Sequence, residues 1–485
     1  MMDWQDVIGY AFEFMPYGMA VVLAFVLVAL LMGLYRSPLV AVVAVLCVTI
    51  WEVAAPALPV LRLGLSLSPF DFVFASIGFV ALLRLVFLPR GSYSLGWPLS
   101  ILVVVLLGSF VVGLARFGVK AGVEFRNDFY FWGLCVYLVT FRPTDAWLNR
   151  TLDLWLAAAF VLCLIVWYRW LADAFGLDWI YPFWRYADAT GVAFNRVAAS
   201  SAALVMGLAV LISVNSLALR RAEALHYLFL PALLLTIVFL QHRSVWVATL
   251  LPLLLLLVQR MRGSERSVGP IVAALGSLVI VGAVLSSGVF GGATQSVADQ
   301  ARRATDTTGG TFVGRVDGWQ ELLRRWSGLG PVGLAVGEPY GSGFERHVGS
   351  NWGGSTVEYA PHNYFVALLL RGGAAGLLVF LLVLWRLGAA GLAPPVKEGE
   401  GSQFGPPLVL ALTLCVVLYC IPYSPTPASA VLIGAALSIA LRPRKRHRDH
   451  PEVDALGPKG VTSGDAARVP TGLPAATALD RPGLR

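Results

Sequence analysis

Residues 228–258 read LFLPALLLTIVFLQHRSVWVATLLPLLLLLV, two apolar runs parted only by Gln241, His242 and Arg243. With their flanks, both runs approach the roughly 20 residues that a helix needs to cross a bilayer core. An arginine between them marks a tight reversal at a membrane face. The pattern repeats along the chain, with crossings expected near 17–35, 39–56, 69–89, 97–115, 128–141, 150–170, 197–218, 226–241, 244–259, 269–288, 363–385, 406–422 and 426–441. Of the 485 residues 58% are hydrophobic and only 13% charged, against the roughly 25% of a soluble domain. Mean hydropathy is +0.74, which excludes a soluble globular enzyme. The expected fold is an all-α polytopic membrane protein of about thirteen transmembrane helices (12–13), with a long loop between the tenth and eleventh.

A basic cluster follows the last crossing (Arg442, Arg444, Lys445, Arg446, Arg448) and accounts for much of the net charge of +8. Cytoplasmic retention and anionic headgroups explain it without nucleic acid. With the C-terminus inside, the loops around Arg36, Arg90, Arg142 to Arg150, Arg220, Arg260 to Arg266 and Arg386 to Lys397 fall on the positive side. The segments 57–68, 116–127, 171–196 and 289–362 then face outward. The domain expectation is a helical bundle over 1–288, an extracytoplasmic loop domain over 289–362, C-terminal crossings over 363–441 and a disordered cytoplasmic tail over 442–485. Within the loop, Arg315 to Trp326 has the spacing of an amphipathic surface helix. The five cysteines lie inside apolar runs, against a disulfide framework or zinc site, and the acidic start with no Lys or Arg is unlike a signal peptide.

Polar residues at the outward ends of crossings are the candidates for chemistry. His362, after Pro361 and before Asn363, is the sharpest, because histidine alone titrates near neutral pH unaided. Arg243 either snorkels or meets an anion; Arg315, in Gly314-Arg315-Val316-Asp317-Gly318-Trp319, either pairs locally or does the same. Arg116, Lys120 and Arg126 run against the positive-inside trend, as a solvated face or a ligand surface. No phosphate loop, nucleophile elbow, zinc helix motif or CxxC is present, and no Asp-x-Asp stands in the outward loops to hold a metal. One histidine and a few arginines suit the departure of a glycan from a pyrophosphate: guanidinium forks stabilise the leaving charge, and a neutral imidazole takes the proton of the incoming hydroxyl. A single displacement inverts the anomeric centre. Retention would need a carboxylate pair that the sequence does not show.

Pro361-His362-Asn363-Tyr364 followed by Gly373-x-x-Gly376 resembles the O-antigen ligase and O-antigen (exopolysaccharide) polymerase superfamily. His242-Arg243-Ser244-Val245-Trp246 and Gly314-Arg315-x-x-Gly318-Trp319 are similar to its two arginine motifs, and the resemblance covers roughly 150–441. It implies a GT-C-like, metal-independent and cofactor-free glycosyltransferase in the cytoplasmic (inner) membrane, its site facing the periplasm. The implied donor is a glycan on undecaprenyl pyrophosphate, and the acceptor a second glycan or lipid A core. By matching positions, His362 is the base and Arg243 and Arg315 hold the pyrophosphate; His242, Asn363, Trp319 and Arg371 join the substrate-binding candidates. His242 stands where many members have Ser or Thr. Arg371 either pairs with a carboxylate or touches lipid phosphate.

Ligation to lipid A core, polymerisation of repeat units and glycosylation of protein hydroxyls share this donor chemistry, and the acceptor loops decide among them. Trp170, Trp179, Tyr181, Trp184, Tyr186, Trp326, Tyr340, Trp352 and Tyr359 are available to stack on sugars or to form an interfacial belt. The alternative class is a transporter or flippase of lipid-linked oligosaccharide, against which stand the lack of an internal repeat and the gathering of distinctive polar residues at one face.

Overall fold

The computed structural model describes residues 25–55, 61–62, 66–89, 95–175, 186–187, 193–194, 197–219, 224–262, 269–286, 311–347, 356–358, 360–393 and 403–441. The expected tail at 442–485, the first turns of the crossing at 17–35 and the aromatics Trp179, Tyr181, Trp184, Trp352 and Tyr359 lie outside the described residues. The chain is mostly helical. In order come α1 (Phe25–Arg36), α2 (Pro38–Ala54), α3 (Pro69–Phe87), α4 (Trp97–Phe117), α5 (Val119–Val139), α6 (Asp145–Ala174), α7 (Ser200–Ala218), α8 (Ala224–Phe239), α9 (Arg243–Arg262) and α10 (Gly269–Ser286). After them stand α11 (Thr311–Ser327), α12 (Pro331–Val336), α13 (Tyr364–Gly391), α14 (Pro406–Cys420) and α15 (Ser429–Ala440). Three two-residue hairpins pair β1 (Leu61–Arg62) with β2 (Ser66–Leu67), β3 (Tyr186–Ala187) with β4 (Ala193–Phe194) and β5 (Arg346–His347) with β6 (Thr356–Val357), all antiparallel.

Among the described residues, six helices are long and apolar enough to cross a membrane: α3, α4, α6, α7, α9 and α13. Shorter apolar helices accompany them, as a polytopic all-α membrane protein requires. Helix α7 is the axis of the bundle, buried on every side from Ala202 to Ala218. Small residues let helices approach closely: a Cβ on Gly207 of α7 would lie 2.3 Å from Thr249 Oγ1 of α9, and one on Gly434 of α15 would lie 3.1 Å from Cys135 Cα of α5. Helix α14 packs along α9, α15 along α5, and α13 along α4.

Two expectations need correction. The segment 116–127 does not separate crossings at 97–115 and 128–141, because it is helical almost throughout. Helix α4 runs to Phe117, Gly118 turns the chain at φ +55°, and α5 begins at Val119. Hydropathy ended the apolar run at the charged residues Lys120, Glu124, Arg126 and Asp128, but tertiary partners keep that stretch helical: Arg126 pairs with Asp71 of α3 at 3.1 Å, and Glu124 and Asp128 take partners described below.

Nor is 363–385 one straight crossing. Gly373, at φ +62° and ψ −167°, breaks α13 into two arms. In a straight helix Tyr364 and Phe380 would stand about 24 Å apart at 1.5 Å per residue. Their ring centroids are 5.5 Å apart, and Leu368 reaches to 3.9 Å of the position of a Cβ on Gly376. The first arm therefore folds back on the second. Only glycine tolerates this corner, since a Cβ there would sit 2.3 Å from the Ala335 carbonyl oxygen of α12.

Candidate active site

His362 immediately precedes the first arm of α13. Asn363 caps that arm, its Oδ1 accepting from the Val366 N–H at 3.1 Å, so the cap fixes the direction in which the preceding residue leaves the helix. The imidazole meets Tyr423, in the link between α14 and α15, edge to face at 6.2 Å. Over the same tyrosine ring, at 5.6 Å, lies the guanidinium of Arg315. His362 and Arg315, 47 residues apart in sequence, thus share one aromatic platform.

A small second core explains how α11 brings Arg315 there. Leu322 of α11, Phe344, and Val366 and Leu370 of the first arm are buried together, with Trp319 and Trp326 packed against them. Trp319 therefore contributes packing. Arg346 on β5 is buried at 5% exposure, and a Cβ on Gly318 would lie 2.8 Å from its Nε. The second glycine of Gly314-Arg315-x-x-Gly318 thus makes room for a second arginine beside the first. Burial, then Arg315, then Arg346 push the His362 imidazole down from 6.5 to about 4, so it is neutral at physiological pH.

Arg243 opens α9 at the tip of a tight turn. Gln241 adopts φ +57°, in the left-handed region, and the His242 carbonyl accepts from Val245 at 2.8 Å and Trp246 at 3.1 Å to start the helix. The buried His242 ring contacts the Ala198 carbonyl through Nε2 at 3.0 Å, and since a carbonyl only accepts, Nε2–H is the donor. Two residues on, Ser200 Oγ lies 3.0 Å from Tyr419 OH, and Tyr419 stacks on Tyr423 at 4.9 Å. These contacts bring the turn that precedes Arg243 to the same end of the bundle as the platform that His362 and Arg315 share.

The remaining candidates are elsewhere engaged or peripheral. Arg371, at 1% exposure, pairs with Glu124 and with Glu338 at 3.3 Å, donates to Ser342 Oγ at 2.5 Å and to the Gly343 carbonyl at 2.7 Å, and covers the Phe344 ring at 4.3 Å. Of its two expected fates it takes the carboxylate. Arg126 also donates to the Ser66 carbonyl at 3.1 Å, while Arg116 and Lys120 are exposed at the α4–α5 turn. Tyr340 is buried with its hydroxyl on Asp128, so its ring is not open to a sugar, and Trp170 is half-buried against Trp167 and Phe239. Among the described residues no group of His, Cys, Asp and Glu could hold a metal ion.

Residues 228–381 match the family model described as O-antigen ligase. The match supports the O-antigen ligase and polymerase superfamily. It begins before the Arg243 tip and ends in the second arm of α13, so Arg243, Arg315, Arg346 and His362 all fall inside it. A search of curated proteins finds no match. Sequence reasoning missed Tyr419 and Tyr423, which lie beyond the matched residues in Tyr419-Cys-Ile-Pro-Tyr423, and Arg346, one of several charges on the long loop. The only signal for Arg346 was Gly318, whose need for space becomes meaningful once α11 and β5 are seen together.

Proposed function

We propose that the protein transfers a glycan from an undecaprenyl-pyrophosphate-linked donor to an acceptor hydroxyl at the periplasmic face of the cytoplasmic membrane, with inversion and without a metal. The observation that carries this reading is the shared platform: a neutral imidazole and a guanidinium on one tyrosine ring, with a second buried guanidinium within electrostatic reach of the imidazole. The acceptor oxygen attacks the anomeric carbon as the bond from that carbon to the phosphate oxygen breaks. The acceptor proton passes to His362, and the electron pair of the broken bond leaves with the diphosphate. Arg315 and Arg243 hold that growing charge, which bidentate forks do better than point charges. In the free protein the His362 base is weak, because burial first, and then two cations, oppose its protonation. A bound diphosphate offsets those cations and raises the imidazole toward its ordinary range, so the base strengthens when donor is present.

Polymerisation or ligation to a lipid A core is the reading we favour over protein glycosylation, and a flippase of lipid-linked oligosaccharide is the competing class. A carrier needs polar sites near the middle of the bundle; the groups assembled here sit at one end. The test is His362→Ala in proteoliposomes supplied with lipid-linked repeat unit, with and without lipid A core. Loss of glycan transfer with unaltered insertion is expected. Full turnover by the alanine variant would remove the base from the mechanism, and lipid movement without transfer by the unaltered protein would favour the carrier.

A further inference from the structure

We infer that Glu124 and Asp128 are positioning residues, through which one edge of α5 sets where His362 stands relative to Arg315. Asp128 accepts from the hydroxyl of Tyr364, two residues past His362, at 2.8 Å, and from the hydroxyl of Tyr340 at 2.8 Å. Trp132, one turn further along α5, donates to the same Tyr364 oxygen at 2.8 Å. One turn the other way, Glu124 accepts from the backbone N–H of Gly341 at 2.8 Å and of Gly343 at 3.4 Å, and pairs with Arg371 at the far end of the same arm. A single helix edge thus holds both ends of the arm that presents His362, together with the loop 338–343.

That loop leads within three residues to Arg346, and it is tied back to α11 by a bidentate pair, Arg325 Nε and Nη2 on the Glu338 carboxylate at 2.9 and 2.5 Å. Helix α11 carries Arg315. The two sides of the platform, base and cation, are therefore referred to one rigid edge. The fit leaves little slack: a Cβ on Gly113 of α4 would lie 2.2 Å from the Tyr340 carbonyl oxygen, and Gly341, at φ +92°, lies against the Ala121 backbone. Apolar packing would join these elements without burying carboxylates and guanidinium groups, whose desolvation is costly. What the charged network supplies is direction, since the bonds of Tyr364 and Arg371 fail if the arm slides by one residue.

The inference rests on His362 being the base, so its test reads placement as well as turnover. Asp128→Asn keeps the volume of the side chain, and Tyr364→Phe removes one oxygen from the arm, giving two independent variants of the same link. In each, transfer should fall about tenfold to a hundredfold in kcat, the scale of an ångström misplacement, with donor KM within about twofold. The rate at which diethyl pyrocarbonate modifies His362 in the reconstituted protein, read by mass spectrometry against pH, should show its midpoint rising from about 4 toward 6.5 as water enters and the cations recede. Unaltered kcat in both variants, or a kcat loss with the midpoint still at about 4, overturns the inference. Turnover by His362→Ala would sink the base assignment alone, because the modification midpoint measures placement whatever the chemistry.

Discussion

Gly373→Ala tests the reversal in α13. At φ +62° and ψ −167° the residue occupies a region that is essentially glycine's alone, and a side chain there costs about 1–3 kcal/mol before any contact is counted. The contacts are worse: the new Cβ would fall 2.3 Å from the Ala335 oxygen, 2.4 Å from its carbonyl carbon and 2.5 Å from the Val336 nitrogen, all backbone of α12, so no rotamer relieves them. Helix α12 must retreat by roughly an ångström, loosening the loop that begins at Gly337. One to two kcal/mol corresponds to a factor of roughly 5–30 in the balance of ordered and disordered forms. The measurement is residual transfer activity in detergent after graded heating, with Gly388→Ala as control. Gly388 lies in the second arm with nothing within 4 Å of its Cβ position, and alanine there should gain roughly 0.5–1 kcal/mol as a better helix former. A Gly373→Ala protein as heat-resistant and as active as the unaltered one would refute the reversal.

The low value for His362 gives a signed pH profile. Proton uptake as pH falls through about 4 removes the base, so the acid limb of kcat/KM should lie near pH 4, and that of kcat higher because bound diphosphate offsets Arg315 and Arg346. Arg346→Gln should move the kcat/KM limb upward; a limb fixed near 6.5 in the unaltered protein would contradict the burial of the ring. In the unfolded chain the same ring titrates near 6.5, so its contribution to stability is constant above that value and is lost as pH falls from about 6.5 to about 4, measurable as heat resistance against pH. Arg243→Lys should raise donor KM and lower kcat, since an ammonium cannot reproduce a planar fork, and near-normal constants would leave Arg243 as a snorkelling residue. Transfer should persist in EDTA; activity lost there and restored by magnesium or manganese would overturn metal independence.

Hydropathy made the helical class plain, and the short motifs around Arg243, Arg315 and His362 marked residues that the fold gathers at one end. Where the reading failed, the cause was tertiary. The charges from Lys120 to Asp128 broke the apolar pattern, and their partners, Asp71, Tyr340, Tyr364 and Arg371, are distant in sequence. Arg371 gave no hint of which of its two fates it took until Glu124 and Glu338 were placed beside it. Tyr423 stood in a link between apolar helices with no pattern around it, and its role exists only as the surface on which two remote residues meet.

The corner at Gly373 uncouples progress along the chain from height in the bundle. Tyr364 and Phe380 share a level, so any scheme that assigns one height per helical turn misplaces the first arm by most of its length. Topology drawn by counting residues inherits that offset here, and a glycine with positive φ inside an unbroken greasy stretch is the mark by which the offset is found.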